Sequence, residues 1–371
     1  MRVSLIDGTE PPETLVEAWD HLVEASGARA WSTPAWALGW RRTYRPEAPL
    51  RLITVHEGSE LIGLGPFYEV RRLGVRMVRF LGQTHQPNRL LAIPGKPEVV
   101  AAIWSELRAR RLVLDLYDLE AGESLDALLA ADGWYHFIEP ADRCMTILAP
   151  PGTKGEDYLR SRSGLHRDVA RKRRMAERDG LPLDVVRVDE LAEIEAMLLA
   201  LSHVTQVAQR DRFKPGELEE LARGRLPGPV RAAAQAGRVQ LALVSLGGRP
   251  AAFTVNLVGG STIQQHLKAY DTAFKRYSPG EVCEAEALSW ALERGTREYD
   301  LGIGAGQHKR RWTDIEYQTV RVVSGPSAPT LATTRALLAF GSATARAPDL
   351  VGRLGRRTAR SEPPTDAASL V

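Results

Sequence analysis

The sequence predicts an α/β protein made of two units in tandem, each a mixed, mostly antiparallel sheet flanked by helices. Strand-like runs and helical apolar spacing alternate through both halves of the chain. Between the halves lies a stretch rich in chain breakers, Ala149-Pro150-Pro151-Gly152-Thr153-Lys154-Gly155. The length of 371 residues also suits two domains of about 150 residues each. The expected division is residues 1–148, a linker over 149–156, a second unit over 157–325, and 326–371 as a helix followed by a tail that does not pack.

Val3 to Ile6 reads as a strand. Glu13 to Glu24 reads as a helix with Leu15, Trp19, Leu22 and Val23 at helical spacing. In Trp31-Ser32-Thr33-Pro34-Ala35-Trp36, Ser32 or Thr33 can cap a helix running through Trp40, with Pro34 in its first turn. Trp36 and Trp40 share one face of it and read as core aromatics. Leu50 to Val55 and Leu61 to Val70, joined at Glu57-Gly58-Ser59-Glu60, form a hairpin, and Arg76 to Leu81 is a third strand. Gly82 to Asn88 is a polar loop, Glu98 to Arg110 a helix, Leu112 to Leu116 a strand and Leu125 to Ala131 a short helix. Trp134 to Phe137 and Met145 to Leu148 close the half as two strands.

Beyond the join, Asp157 to Arg178 is an Arg-dense helical stretch broken near Ser163-Gly164. A strand at Leu183 to Val188 leads into a long helix from Glu190 to Val207, then helices from Lys214 to Leu226 and from Val230 to Ala236. Val239 to Leu246, Ala251 to Val258 and Thr262 to Tyr270 are successive strands. A helix then runs from Ser278-Pro279-Gly280 to Arg294, with strands at Glu298 to Leu301 and Gln318 to Val323 after it.

Composition narrows the function. The 49 basic and 46 acidic residues leave a formal charge of +3, and 44% hydrophobic residues can build a sizeable core, which excludes a mostly disordered chain. Cys144 and Cys283 are too few for a disulfide framework, a zinc knuckle or an iron-sulfur cluster, and the 8 histidines are scattered singly, so no metal is expected. No run of 18 apolar residues and no leader-like start is present, so a cytoplasmic setting is expected. Only 7 of the 49 basic residues are lysines, which makes each lysine more informative than an arginine.

The junction Lys275-Arg276-Tyr277-Ser278-Pro279-Gly280-Glu281-Val282 carries the strongest chemical signal. A strand ends, a basic loop turns, and Ser278 with Pro279 opens a helix whose first N–H groups, from Gly280 to Val282, are expected to face a phosphate or pyrophosphate. Lys275 and Arg276 would add counter-charge. One strand later, Gly302, Gly304 and Gly306 stand between Asp300 and a basic cluster, at positions suited to close approach or positive φ. Their G-x-G-x-G spacing departs from the dinucleotide-binding fingerprint, so no nicotinamide cofactor is expected. No G-x-S-x-G elbow is present either, which gives a serine hydrolase no support.

Taken together, Tyr277-Ser278-Pro279-Gly280, Tyr299-Asp300-Leu301-Gly302, Lys309 and Trp312 resemble the C-terminal half of the GNAT-superfamily acyltransferases of the CelD, cellulose-biosynthesis type. Ser161 to Gly180, Leu201-Ser202-His203 and Trp31-Ser32-Thr33-Pro34-Ala35-Trp36 are similar to further segments of that family, so the resemblance spans roughly residues 3 to 324. It implies acyl-CoA, with acetyl-CoA the expected form, as co-substrate. Its pyrophosphate would lie at Lys275, Arg276, Ser278, Gly280, Glu281 and Val282, with Pro279 where the family pattern has its first glycine. The related Fem-type transferases carry two such domains and take aminoacyl groups from tRNA.

Acyl transfer needs a positioned carbonyl, a base for the acceptor and an acid for the leaving group. Alternation along Thr262 to Tyr270 places Gln264, His266, Lys268 and Tyr270 on one face, and His266 is the favoured base because its ordinary pKa is near neutrality. His203, Asp300 and Lys309 are the further catalytic candidates, with His85 behind them. The Arg run from Arg160 to Arg178 is interleaved with acids and reads as a solvated helix face. The expected function is acyl transfer from acyl-CoA to an amine or hydroxyl of a small molecule or sugar. One rival is aminoacyl-tRNA-dependent amide formation, favoured if the Arg-dense helix faces Ser278 to Val282. The other is a non-catalytic binding protein on the same fold.

Overall fold

The structure is a computed structural model that describes residues 1–338 apart from residues 73, 83–85, 131–132 and 209–214. In chain order the first half gives β1 (Arg2–Gly8), α1 (Glu13–Ser26), α2 (Pro34–Tyr44), β2 (Leu50–Glu57), β3 (Glu60–Arg72), β4 (Val75–Phe80), β5 (Leu91–Ala92), α3 (Pro97–Ala109), β6 (Val113–Glu120), α4 (Glu123–Leu129) and β7 (Tyr135–Leu148). The second half gives α5 (Gly155–Ser161), α6 (Ser163–Arg178), β8 (Leu183–Val188), α7 (Leu191–Ala196), α8 (Leu198–Val207), α9 (Pro215–Ala222), α10 (Gly228–Gln235), β9 (Val239–Leu246), β10 (Arg249–Gly259), β11 (Thr262–Tyr270), α11 (Pro279–Glu293), β12 (Glu298–Ile303), α12 (Gln307–Arg310) and β13 (Glu316–Gly325). Residues 328–338 are helical.

All these strands join one mixed sheet in the order β1-β2-β3-β4-β6-β13-β7-β12-β11-β10-β9-β8, with β5 paired to β3. The two halves repeat a pattern. Antiparallel strands end in β4 or β11, a helix follows (α3 or α11), and the next strand returns parallel to the first, as β6 beside β4 and β12 beside β11. The last strands are exchanged: β13 lies between β6 and β7, and β7 pairs with β12. Apolar clusters fill the space between this sheet and its helices, around Phe67 and Trp104 in the first half and around Leu241, Phe253 and Leu288 in the second.

Local chemistry explains the elements. Thr33 caps α2 by accepting from the Trp36 N–H at 3.4 Å, Pro34 starts the helix, and Trp36 and Trp40 are both buried. Two expectations are corrected. The strands expected at Trp134 to Phe137 and Met145 to Leu148 are parts of one strand, β7, whose polar middle is held by main-chain pairing with β13 rather than by apolar side chains. The long helix from Glu190 to Val207 is broken at Met197 into α7 and α8.

Candidate functional site

β11 and β12 pair as parallel strands only over Thr262↔Glu298, Ile263↔Tyr299 and Gln264↔Asp300, and then diverge. Beside the gap lies a cavity of about 410 Å³ lined by residues including Lys268, Tyr270, Gly280, Glu284, His308 and Trp312. It joins the end of β11, the first turn of α11 and the short helix α12. Gly280 keeps it open: a Cβ there would stand 3.5 Å from Tyr270 Cδ1, and any longer side chain would enter the cavity.

The favoured base lies elsewhere. β11 carries a bulge opposite Val255 and Asn256, which pair with Leu267 and Gln265 and leave His266 as the extra residue. The bulge breaks the expected alternation. Lys268 and Tyr270 line the cavity, whereas His266 packs edge-on to Trp36 and tilted against Trp31, with ring centroids 4.7 and 5.6 Å away. Its Nε2 is 2.7 Å from Glu217 Oε2, and both side chains are buried. This His–Glu pair was not readable in advance, since Glu217 is 49 positions upstream, on helix α9 rather than on β11.

Asp300 is fully buried but serves a polar network rather than the cavity. It accepts from Arg29 at 2.7 Å, from the Tyr317 hydroxyl at 2.8 Å and from the Gly302 N–H at 2.8 Å. Burial pushes its carboxyl up from the usual carboxylate range, and Arg29 opposes that shift. Arg29 also binds Glu120 and Glu298 and lies 4.5 Å above the Tyr317 ring, so one guanidinium ties β6, β12 and β13 together. Nothing in the sequence singled out Arg29.

Lys309 is buried, and its ammonium donates to the Gly302 and Ile303 carbonyls at 3.0 and 2.6 Å. Burial, with Lys268 nearby, lowers it to about 8. Gly302 and Gly304 do adopt positive φ, +73° and +95°, which lets the chain leave β12 and turn back for Lys309 to reach these carbonyls. His203 is exposed on α8 and does not line the cavity. His85 lies outside the described residues.

At the start of α11, Ser278 occupies the capping position in the left-handed region, φ +48°, and its side chain makes no capping hydrogen bond. Its carbonyl instead accepts from both Glu281 and Val282 N–H, at 3.0 and 3.2 Å. Pro279 has no N–H. Of the first-turn donors expected to face a pyrophosphate, Gly280 therefore keeps the one N–H not turned back onto Ser278. The Glu281 carboxylate stands at the same turn, bound by Arg311. Lys275 and Arg276 are exposed, and Arg276 pairs with Asp179 at 3.2 Å.

The Arg-dense helix is not wholly solvated. Lys172 of α6 donates to the Arg276 carbonyl, Arg173 pairs with Glu286 of α11, and Arg311 bridges Asp168 of α6 and Glu281. The helix thus lies against the Ser278 to Val282 turn.

Residues 163–310 match the family described as Acetyltransferase (GNAT) domain. The match takes in α6, the His–Glu pair, the gap between β11 and β12 and Lys309. No curated protein sequence matches the chain. Among solved structures, FemX is similar with a TM-score of 0.60 at 12% identity, covering 86% of this chain and 96% of its own. L-PGS from Bacillus licheniformis gives 0.52 at 14% identity over 89% and 98%. A conserved protein of unknown function from Bacteroides thetaiotaomicron gives 0.54 at 10% over 87% and 100%. At such identities the likeness shows a shared fold, a large mixed sheet of GNAT type flanked by helices. The finer CelD-type resemblance receives no separate support. Among the described residues no helix is long and apolar enough to cross a membrane, and no group of three or more His, Cys, Asp or Glu could hold a metal ion.

Proposed function

We propose that the chain is an acyltransferase that moves an acyl group onto an amine or hydroxyl of a small molecule or sugar, with the reacting carbonyl held where β11 and β12 diverge. The observation that carries this reading is that gap. Strand edges released from pairing offer main-chain donors to a carbonyl, and a cavity of about 410 Å³ opens beside them. On the other face of β11, His266 is held by Glu217 and buried against Trp31 and Trp36, outside that cavity, so it takes no proton there. Asp300 and Lys309 act through structure: Asp300 fixes β12 against Arg29, and Lys309 holds the end of β12.

Acyl-CoA is the donor that the family match suggests. The α11 turn does not fit its diphosphate, because a proline, two satisfied N–H groups and a carboxylate stand where free donors are needed. The contacts of α6 with this turn favour the second reading, an aminoacyl-tRNA donor, whose phosphates would be spread along the basic helix.

Thermal-shift titrations with acetyl-CoA, longer acyl-CoAs and aminoacyl-tRNA separate the two. Stabilisation by aminoacyl-tRNA alone is expected. A shift with a CoA ester would return the donor to acyl-CoA. No shift with any of them, and no transfer from labelled donors to an amine panel, would leave only a binding protein on this fold.

A further inference from the structure

Apart from the cavity beside β11 and β12, the first half of the chain carries a groove at the outer ends of β2, β3 and β4. It encloses about 680 Å³ and is lined by Arg45, Arg51, Arg71, Arg72, Arg76 and Arg79, against two acids, Glu47 and Glu69. Arginine is abundant throughout this sequence, and elsewhere acids interleave it, as along α6. Here six guanidinium groups line one concavity against Glu47 and Glu69, and Asp7 on Arg51 with Asp115 on Arg79 brings the acids to four, which leaves an excess of two positive charges.

Part of the groove is built rather than incidental. Glu69 is buried, and Arg76 binds it through two nitrogens at 2.8 and 2.7 Å while Arg51 reaches it at 2.8 and 3.2 Å. These arginines hold the Glu69 carboxyl at about 2, well below the usual carboxylate range, so it stays ionised and keeps both guanidinium groups oriented. Asp115 orients Arg79 in the same way at 2.5 Å. Arg79 lies 5.7 Å from the centre of the Tyr117 ring, and Arg321 covers the same ring at 4.2 Å. Basic and aromatic groups thus continue from the groove across β6 to β13.

We infer that this groove binds the phosphodiester backbone of an RNA strand. Planar guanidinium forks match phosphate oxygens, and several placed in a row neutralise a repeating anion rather than a single one. The outer arginines are too open for an enclosed small-molecule site: the side chains of Arg71 and Arg76 are 73% and 49% exposed. A membrane surface fits less well, because the lining contains no large exposed apolar side chain to insert. The inference does not depend on which donor the second half uses, and it would hold for a non-catalytic protein.

The test is fluorescence anisotropy of the full chain with a labelled RNA hairpin. It is compared with the double charge reversal Arg71→Glu/Arg72→Glu, and with Arg223→Glu/Arg225→Glu just after α9, exposed and outside both the groove and α6, as a control. Wild type should bind, and its affinity should fall roughly tenfold or more between 50 and 200 mM salt. The groove reversal should weaken binding at least tenfold at unchanged melting temperature, and the control reversal by less. Four outcomes would overturn the inference: no binding at low salt, a groove variant that binds as wild type, loss with the control reversal as large as with the groove reversal, or groove-dependent binding of inorganic pyrophosphate or of phosphatidylglycerol vesicles without RNA.

Discussion

The two parallel strand pairs, β4 with β6 and β11 with β12, begin alike and end differently. In the first half, pairing covers Met77↔Val113 and Val78↔Leu114, and the next residue on each strand forms an ion pair: Arg79 binds Asp115 across the diverging strands, joined by Arg321 from β13. Further along β6, the main chain of Asn88 closes the edge, its N–H donating to the Asp118 carbonyl and its carbonyl accepting from Glu120. In the second half, pairing stops at Gln264↔Asp300, but the buried aspartate is neutralised from outside the pair, by Arg29 and Tyr317. The strand edge is met by the Lys309 side chain instead of a loop. One gap is bridged and the other is left with a cavity beside it. The same strand arrangement becomes scaffold or site according to where the counter-charge comes from.

The largest expected effect comes from breaking the bridge. Asp115→Ala would leave Arg79 without its carboxylate and Arg321 with Glu139 alone, both arginines being largely buried, and should cost about 3–5 kcal/mol in chemical denaturation. The rate of acyl transfer at saturating donor, measured under conditions where the variant remains folded, should be unchanged. A variant that lost this rate as strongly as stability would show that the two gaps are not independent.

Filling the open gap should do the reverse. Gly280→Arg places a long side chain from the α11 turn into the cavity, while its Cβ meets Tyr270 only at ordinary contact distance. The expected outcome is a loss of donor affinity of about a hundredfold, roughly 2.7 kcal/mol, with the ligand-free melting temperature nearly unchanged. Unaltered affinity in a binding titration would move the donor away from this cavity.

The contrast between the gaps also marks what the sequence could disclose. Alternating apolar runs and glycine turns made the hairpin of β2 and β3 and the strands around Ser278 readable, because those signals are local. The bulge at His266 was not readable: one extra residue reverses the facing of all that precede it, and no side-chain preference announces it. The exchange of β7 and β13 depends on pairing between segments 150 or more residues apart, and the polar middle of β7 hides it. Arg29 is one of 42 arginines, set apart only by three carboxylates contributed by distant strands. Lys309 stood out because lysines are few, but its role as a cap on β12 needed the positive-φ turn through Gly302 and Gly304.

The smallest expected effect is a pH dependence confined to the open gap. Burial lowers the Lys309 ammonium to about 8, whereas in the unfolded chain it titrates near its ordinary 10.5. Below about pH 8 both states carry the proton, and the cost of burying the charge is fully present. Between about pH 8 and 10.5 the unfolded chain binds more protons than the folded one, so stability should rise with pH across that window. Lys309→Met keeps a side chain of similar length without the titrating group. The stability of wild type relative to this variant should therefore climb by roughly 1–3 kcal/mol from pH 7.5 to pH 10 in denaturant titrations. The β4/β6 gap is sealed by the main chain of Asn88, so Asn88→Ala should leave the slope of stability against pH as it is in wild type. A flat difference between wild type and Lys309→Met would mean that the Gly302 and Ile303 carbonyls hold Lys309 charged, and that the second gap is closed as firmly as the first.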